Sequence, residues 1–334
     1  MSVGVLFTQG PVSGNPHTVL TEMLEQAEAA DRLGFSAALT TEHKRSPEYF
    51  GSPLPLSFAI AARTERVRVG TSIAIAPLYN PVELAQDAAM LDQLSGGRAW
   101  LGLGAGYTPE DFSTVGVPFA DRAQRFDETV RIVRAAHTQE RFSFHGDLYA
   151  LDDVEVEPRP VAPEGIPLHL GAWTPGGLRR AGRLGDGWIT NALMALPTIA
   201  GAAQAYRAAA HEAGRAPHVT AIRFCWPYTS RERAMEQFGD TALAMARTLF
   251  DYGAIVDLPG VTSSSEITLE AFVADRFVFG TPDECVATLN RFRDEAGVDD
   301  FLTIFRYPTG PDQRSVLEAM ELFGREVLPA LSGP

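Results

Sequence analysis

Three short segments of this sequence carry residues whose types and spacing suit chemistry on a bound small molecule. Thr41-Glu42-His43 sets a carboxylate beside an imidazole at the end of the apolar run Phe35 to Thr40. An imidazole titrates near neutral pH and can give or take a proton, so the pair suits proton-transfer or polarising chemistry. A histidine satisfied in a structural hydrogen bond is the plainer alternative. Gly102-Leu103-Gly104-Ala105-Gly106-Tyr107 implies close approach of backbone to a partner, but it lacks the third glycine of the dinucleotide fingerprint. Gly171-Ala172-Trp173-Thr174-Pro175-Gly176-Gly177 runs into a helix that starts near Leu178. Free N–H groups and the helix dipole there favour an anion such as phosphate, with Arg179 and Arg180 adding charge; a plain turn is the alternative. A fourth stretch, Gly70-Thr71-Ser72-Ile73-Ala74-Ile75-Ala76-Pro77, alternates small and hydroxylated residues with isoleucine. A planar cofactor can lie against such a strand, and so can an ordinary core layer.

Each segment follows an apolar run that reads as a strand. Val3 to Phe7, Phe35 to Thr40, Val67 to Ile75, Arg98 to Leu103, Ile166 to Leu170, Gly187 to Asn191, Val219 to Trp226 and Asp300 to Phe305 make eight. Helical spacing covers Thr18 to Leu33 (closed by Gly34), Leu54 to Thr64, Pro81 to Leu94 and Asp121 to His137, with Asp121 as N-cap. It continues over Gly176 to Leu184, Leu196 to Ala213, Arg231 to Tyr252 and Gln313 to Leu328. Alternating βα units predict parallel strands, and eight of them in one α/β domain spanning residues 1–334 predict a (β/α)8 TIM barrel. A doubly wound open sheet is the alternative. Two insertions are expected: a β-hairpin over Arg141 to Arg159, turning at His145-Gly146-Asp147, and an irregular lid over Asp257 to Asp275. In a barrel, the loops after the strands hold the chemistry, and all four segments lie there.

Composition removes other functions. The 334 residues are 45% apolar and 21% charged, as in an ordinary globular chain. The net charge of −14 argues against nucleic acid or an anionic membrane as partner. The single lysine, Lys44, precedes Arg45, so no Walker loop exists. Schiff-base chemistry would rest on Lys44 alone. Cys225 and Cys285 make no disulfide framework, Cys225 reads as a packing residue, and no Cys/His spacing suggests a metal site. No apolar run is long enough for a membrane span and the N-terminus has no signal-peptide layout, so a cytoplasmic location is expected.

Together these segments resemble the bacterial luciferase-like flavin monooxygenase family over nearly the whole chain. The residues that carry the resemblance are Leu33-Gly34-Phe35 with Thr41-Glu42-His43, Arg66-Val67-Arg68-Val69-Gly70-Thr71, and Asn80-Pro81 through Asp92-Gln93-Leu94-Ser95-Gly96-Gly97-Arg98. They continue with Gly102 to Gly106, Arg125-Phe126-Asp127-Glu128, Arg183-Leu184-Gly185-Asp186-Gly187-Trp188 and Gly280-Thr281-Pro282-Asp283-Glu284-Cys285. Gly297-Val298-Asp299 and Glu326-Val327-Leu328-Pro329 complete the set.

The resemblance implies a barrel, usually dimeric, that binds reduced FMN or a reduced 8-hydroxy-5-deazaflavin at the C-terminal ends of its strands. FMN-using members take the reduced flavin from a separate flavin reductase and form a C4a-(hydro)peroxyflavin with O2, which oxygenates a small organic substrate. By the same resemblance His43 is the active-site histidine and Glu42 orients it or its loop. Thr71, Ser72, Ile73, Ala105, Gly106 and Trp173 lie against the cofactor, with Thr174, Gly176 and Gly177 on its phosphate. A non-prolyl cis peptide is implied between Ser72 and Ile73.

Such an intermediate needs water kept out. Phe7, Ile73, Trp173, Trp226 and Tyr307 are expected to line the mouth under the 257–275 segment. Arg223 and Arg306 would clamp an anionic substrate or a flavin carbonyl if they point inward, and would be ordinary surface arginines if not. A deazaflavin carries an acidic tail that prefers a basic groove, which this acidic chain does not advertise. FMN and O2 are therefore the expected reactants, with a deazaflavin-dependent dehydrogenase that transfers hydride as the alternative. Flavin binding without turnover is a third reading, against which the Glu42-His43 pair and the glycine loops argue. A homodimer is expected, with apolar helices such as Pro81 to Leu94 available as its face.

Overall fold

A closed barrel of eight parallel strands organises the chain. The computed structural model describes residues 1–251, 257–258, 260–307 and 309–332. In chain order the strands are β1 (Ser2–Phe7), β2 (Ala37–Thr40), β3 (Arg68–Ile75), β4 (Ala99–Gly104), β5 (Phe142–His145) and β6 (Ala150–Val154). They continue with β7 (Leu168–Gly171), β8 (Gly187–Ile189), β9 (Val219–Pro227), β10 (Phe277–Gly280) and β11 (Asp300–Ile304). The barrel runs β1-β2-β3-β4-β7-β8-β9-β11 and returns to β1. Val5 stands opposite Ala38 on one side and Thr303 on the other, and Trp188 opposite Val219 closes the ring.

The helices are α1 (Pro16–Leu33), α2 (Pro53–Ala61), α3 (Pro81–Ser95), α4 (Pro109–Thr114), α5 (Arg122–Thr138) and α6 (Pro175–Leu184). After them come α7 (Leu196–Glu212), α8 (Arg231–Asp251), α9 (Leu269–Val273), α10 (Pro282–Ala296), α11 (Gln313–Leu322) and α12 (Leu328–Ser332). Their starts follow capping chemistry. Asn15 accepts from the N–H groups of His17 and Thr18, and Asn80 from Val82 and Glu83, each just before a proline at the first helical position. Gly34 ends α1 at φ 87°, a left-handed conformation that glycine adopts without steric cost. No helix among the described residues is long and apolar enough to cross a membrane.

The hairpin forms as expected, β5 pairing antiparallel with β6. Glu128 on α5 holds its turn by accepting from the backbone N–H groups of Asp147, Leu148 and Tyr149.

Four expectations need correction. The segment 257–275 is not irregular throughout. It carries a 3-10 turn at Ser264–Glu266, closed by a capping box with Ser263, and the short helix α9, whose Phe272 and Val273 are buried. A ninth strand, β10, follows it. Phe224 of β9 pairs with Phe277 on one edge and Ile304 on the other, so β10 shares with β8 the same edge of β9, higher up. Asp121 precedes α5 without capping it by its side chain. The last helix changes to π-helical turns over Phe323–Val327 before α12. Tyr252, expected to end α8, and Pro259, within the expected lid, lie outside the described residues.

Candidate active site

His43 leaves β2 on the loop Thr41–Ser52, and its ring is held from below. Its Nδ1 lies 3.3 Å from Oδ2 of Asp111 in α4. The other carboxylate oxygen of Asp111 accepts from the backbone N–H groups of Lys44 and Arg45 at 2.8 and 3.1 Å. Burial alone would raise the Asp111 carboxyl; the imidazole and these N–H groups overcome it and hold its pKa below the ordinary value. An ionised carboxylate on Nδ1 selects the tautomer that donates from Nδ1 and leaves Nε2 as the working nitrogen. Asp111 was not legible as a site residue. Its signal is the helix start Thr108-Pro109-Glu110-Asp111, which reads only as a cap.

Glu42 is held beneath the loop that it was expected to orient, and it touches no open space. It is 1% exposed. Its oxygens accept from the Ile75 N–H at 2.7 Å and the Tyr79 hydroxyl at 2.9 Å, and it forms an ion pair with Lys44. Burial pushes its carboxyl up against the opposing pull of these partners. Glu42 therefore ties the His43 loop to the end of β3 and is a positioning residue.

The end of β3 contains the non-prolyl cis peptide Ser72–Ile73 that the resemblance implies. Thr71 is fully buried and donates to the Gly102 carbonyl. The buried Ser72 hydroxyl has no hydrogen-bond partner. Ile73 is seated where Gly104 and Gly171 lack side chains: a Cβ at Gly104 would come within 2.6 Å of its Cδ1, and one at Gly171 within 3.2 Å of its Cγ2. Gly106, at φ 73°, similarly makes room for Phe112 and Ile75, with Ala105 beside it half-buried. The glycines of β4 thus admit neighbouring side chains of the barrel rim.

At α6, Thr174 caps the helix by accepting from the Gly177 N–H. A Cβ at Gly176 would meet nothing within 4 Å, so the space beside this residue in the first turn of α6 is open. Arg180 and Arg183 are committed to Asp127, so Arg180 adds no free charge there, whereas Arg179 is exposed. Trp173, 43% exposed, meets Tyr107 edge-on at 5.1 Å, and Tyr107 meets His43 edge-on at 5.8 Å. The Tyr49 ring is tilted against the imidazole, with centroids 4.6 Å apart. The loops after β2, β4 and β7 therefore bring one imidazole, three aromatic rings and one helix N-terminus together. Tyr49 and Tyr107 were not singled out from sequence; isolated tyrosines in loops carry no spacing signal.

The expected substrate residues fare less evenly. Arg223 turns outward: its guanidinium lies 4.6 Å over the Phe292 ring of α10 and donates to the Ala192 carbonyl. Burial pulls its pKa down to about 9. Arg306 pairs with Glu22 of α1. The contacts of both arginines run to helices outside the barrel, to Glu22 of α1 and Phe292 of α10, while Nε and Nη2 of Arg223 and Nε of Arg306 stay buried without a hydrogen-bond partner. Trp226 is 1% exposed, stacks on Phe238 of α8 and donates to Gln237, so it is sealed from the mouth. Phe7 is also buried, at the end of β1. Tyr307 packs against Phe224 and lies close enough to Tyr49 to influence its ionisation, which keeps it with the mouth.

Comparison with known proteins follows from this geometry. The family model for luciferase-like monooxygenases matches residues 1–300. The 4-hydroxyprotoasukamycin monooxygenase of Streptomyces nodosus subsp. asukaensis is 29% identical, over 97% of this chain and 90% of its own. The F420-dependent glucose-6-phosphate dehydrogenase of Nakamurella multipartita is 28% identical, over 93% of this chain and 92% of its own. Among solved structures, monooxygenase RslO1 from Streptomyces bottropensis superposes with a TM-score of 0.86 at 27% identity, covering 99% of each chain.

Proposed function

The chain belongs to the luciferase-like monooxygenase family, and from that premise we propose that it is a monooxygenase that uses reduced FMN and O2 to oxygenate a small organic substrate. A separate flavin reductase supplies the reduced flavin in this reading. The observation that carries it is the Asp111-held imidazole of His43 opening onto the unburied rings of Tyr107 and Trp173, on the loop that leads into the Thr174-capped N-terminus of α6. The residues fit a flavin: the buried Ser72 hydroxyl lacks a partner, the space beside Gly176 is open, and Trp173 presents an uncovered ring.

Thr174, Gly176 and Gly177 would hold the phosphate through N–H groups and hydroxyl, where the helix dipole favours an anion. Ser72, Ile73, Ala105 and Trp173 would flank the ring system, with Thr71 supporting them from beneath. When bound, reduced FMN supplies the electrons that activate oxygen. His43 contributes at Nε2, where it holds or delivers a proton at the reacting face while Asp111 stabilises the charged ring. The aromatic rings exclude water, which strengthens every polar interaction inside the site. Met90 and Leu94, one turn apart on α3, stay half exposed, and we assign this apolar face to a homodimer contact.

The second reading is hydride transfer with a reduced 8-hydroxy-5-deazaflavin, supported by the dehydrogenase relative from Nakamurella multipartita. Against it stands the net charge of −14, which disfavours an acidic cofactor tail. Anaerobic titration with reduced FMN and with a reduced deazaflavin, followed by admission of O2, separates the two. Tight FMN binding with an oxygen-dependent transient absorbance is expected. Tight deazaflavin binding that is inert to oxygen would replace the monooxygenase reading by the dehydrogenase one.

A further inference from the structure

The rings above His43 carry more than shelter from water. Tyr49, His43, Tyr107 and Trp173 form a continuous aromatic rim across three loops, with centroid spacings of 4.6, 5.8 and 5.1 Å. The contacts of Tyr107 with His43 and with Trp173 are edge-on, at 84° and 75°. Edge contacts leave ring faces uncovered, and Tyr107 is 52% exposed. Large exposed rings that touch one another at a barrel mouth make a surface that a ligand covers.

The charges around this rim sort ligands by sign. Lys44 is consumed by Glu42 and by the Gly51 carbonyl. Arg306 and Arg223 are turned to the outer helices. Arg45, on the same loop as His43, is exposed to solvent. Burial of the hydroxyl ends first pushes the Tyr49 and Tyr107 phenols up, with Asp111 and then Glu48 adding to it at Tyr107, and Glu48 adding a smaller push at Tyr49. Among the described residues, the carboxylates of Asp111 and Glu48 are the charges that act on the rim tyrosines, so an entering anion meets like charge.

We propose that Tyr49 and Tyr107, beside the Trp173 ring that flanks the flavin, select an uncharged, planar aromatic substrate and stack it over His43. The inference rests on the mouth being the substrate face of a flavin site. Offset stacking and edge contacts on two rings are worth about tenfold in affinity over a saturated compound of the same size.

The test is anaerobic calorimetric titration of the protein, saturated with reduced FMN, with three probes: 2-naphthol, 2-naphthoate and 2-decalol. FMN binding is measured first and by itself. The naphthol is expected to bind at least tenfold more tightly than either the anionic naphthoate or the saturated decalol. Tyr107→Leu is expected to weaken naphthol about tenfold, with FMN affinity and decalol affinity changed less than twofold. Naphthoate or decalol binding as tightly as naphthol, or no binding by any probe, would overturn the inference while leaving the flavin reading intact. Failure of FMN to bind at all removes that reading, and this one with it.

Discussion

Nδ1 of His43 and Oδ2 of Asp111 meet at 3.3 Å across 68 residues of sequence, and the same carboxylate closes the His43 loop by accepting from two backbone N–H groups. Asp111→Asn separates these duties. The amide oxygen can still receive the Lys44 and Arg45 N–H groups, so the fold persists, but the charge that supports the imidazolium is gone. Turnover is expected to fall by about 10²-fold, the lower end for general acid–base groups, with FMN affinity within threefold of the parent. Steady-state kinetics beside flavin titration checks this, and unaltered turnover would show that Asp111 only closes the loop.

The ion pair beneath that loop makes a second prediction. Glu42 is buried and Lys44 nearly so, and removing one partner of a buried pair strands the other. Glu42→Ala is expected to cost about 3 kcal/mol in denaturant unfolding, and to weaken FMN binding because the Ile75 N–H loses its anchor behind the cofactor. Glu42→Gln, which can still accept that N–H, should lose about half as much. A Glu42→Met/Lys44→Met double variant recovers stability relative to Glu42→Ala if the stranded ammonium is the cause. A loss below 1 kcal/mol in Glu42→Ala would contradict the account.

The barrel was legible because its signals are local. Strand and helix periods repeat, and the residues that carry the family resemblance are splices between adjacent elements. Asp31 receives the backbone N–H groups of Arg66 and Val67 at the entry to β3, and Arg98 donates to the carbonyls of Thr64, Val67 and Ser95. Asp127 and Glu128, neighbours in sequence, hold α6 and the hairpin respectively. What was not legible depends on distant partners. Asp111 matters because α4 carries it under His43. Arg223 and Trp226 point where the helices, and not the strand pattern, allow. Both faces of β9 are buried, so alternation gave no inside or outside. The strand β10 is four residues long and follows a helix of five, both too short for a periodic signal.

Two histidines at the other end of the barrel give the protein opposing pH responses. His218 donates to Asp300, which raises the His218 pKa. Burial would raise the Asp300 carboxyl, but its bonds with His218 and Ser2 bring it down to about 2. The raised imidazole contributes stability fully below its unfolded value near 6.5 and loses it as pH rises through the folded value. The depressed carboxylate contributes above about 3.8 and fails as pH falls toward 2. His169, stacked on Trp100 at 3.6 Å, behaves oppositely: burial and the His218 charge bring its pKa down to about 3. Below pH 6.5 the unfolded chain takes up a proton that folded His169 refuses, so stability falls by up to about 1.4 kcal/mol per pH unit. His218→Gln is expected to destabilise by about 1 kcal/mol at pH 5 and by nothing measurable at pH 9, the partial exposure of the pair limiting the effect. His169→Leu should flatten the acid limb between pH 6.5 and 4. Urea midpoints across that range decide both, and an unchanged acid limb in His169→Leu would assign it to other groups.

Gly176 offers the sharpest separation of folding from function. Its place in the first turn of α6 is open: a Cβ there meets no atom within 4 Å, and its φ is not in the left-handed region. Gly176→Ala should therefore be neutral or stabilising, by about 0.5–1 kcal/mol, through the reduced freedom of the unfolded chain and the better helix propensity. The same methyl group would occupy the space through which a phosphate approaches the N–H groups of Gly176 and Gly177. FMN affinity is expected to fall at least tenfold while the unfolding midpoint holds or rises. The opposite signs matter, because a variant that merely damages the helix would lose both together. A stabilised variant that binds FMN as tightly as the parent would move the phosphate away from α6, and with it the placement of the cofactor against Trp173.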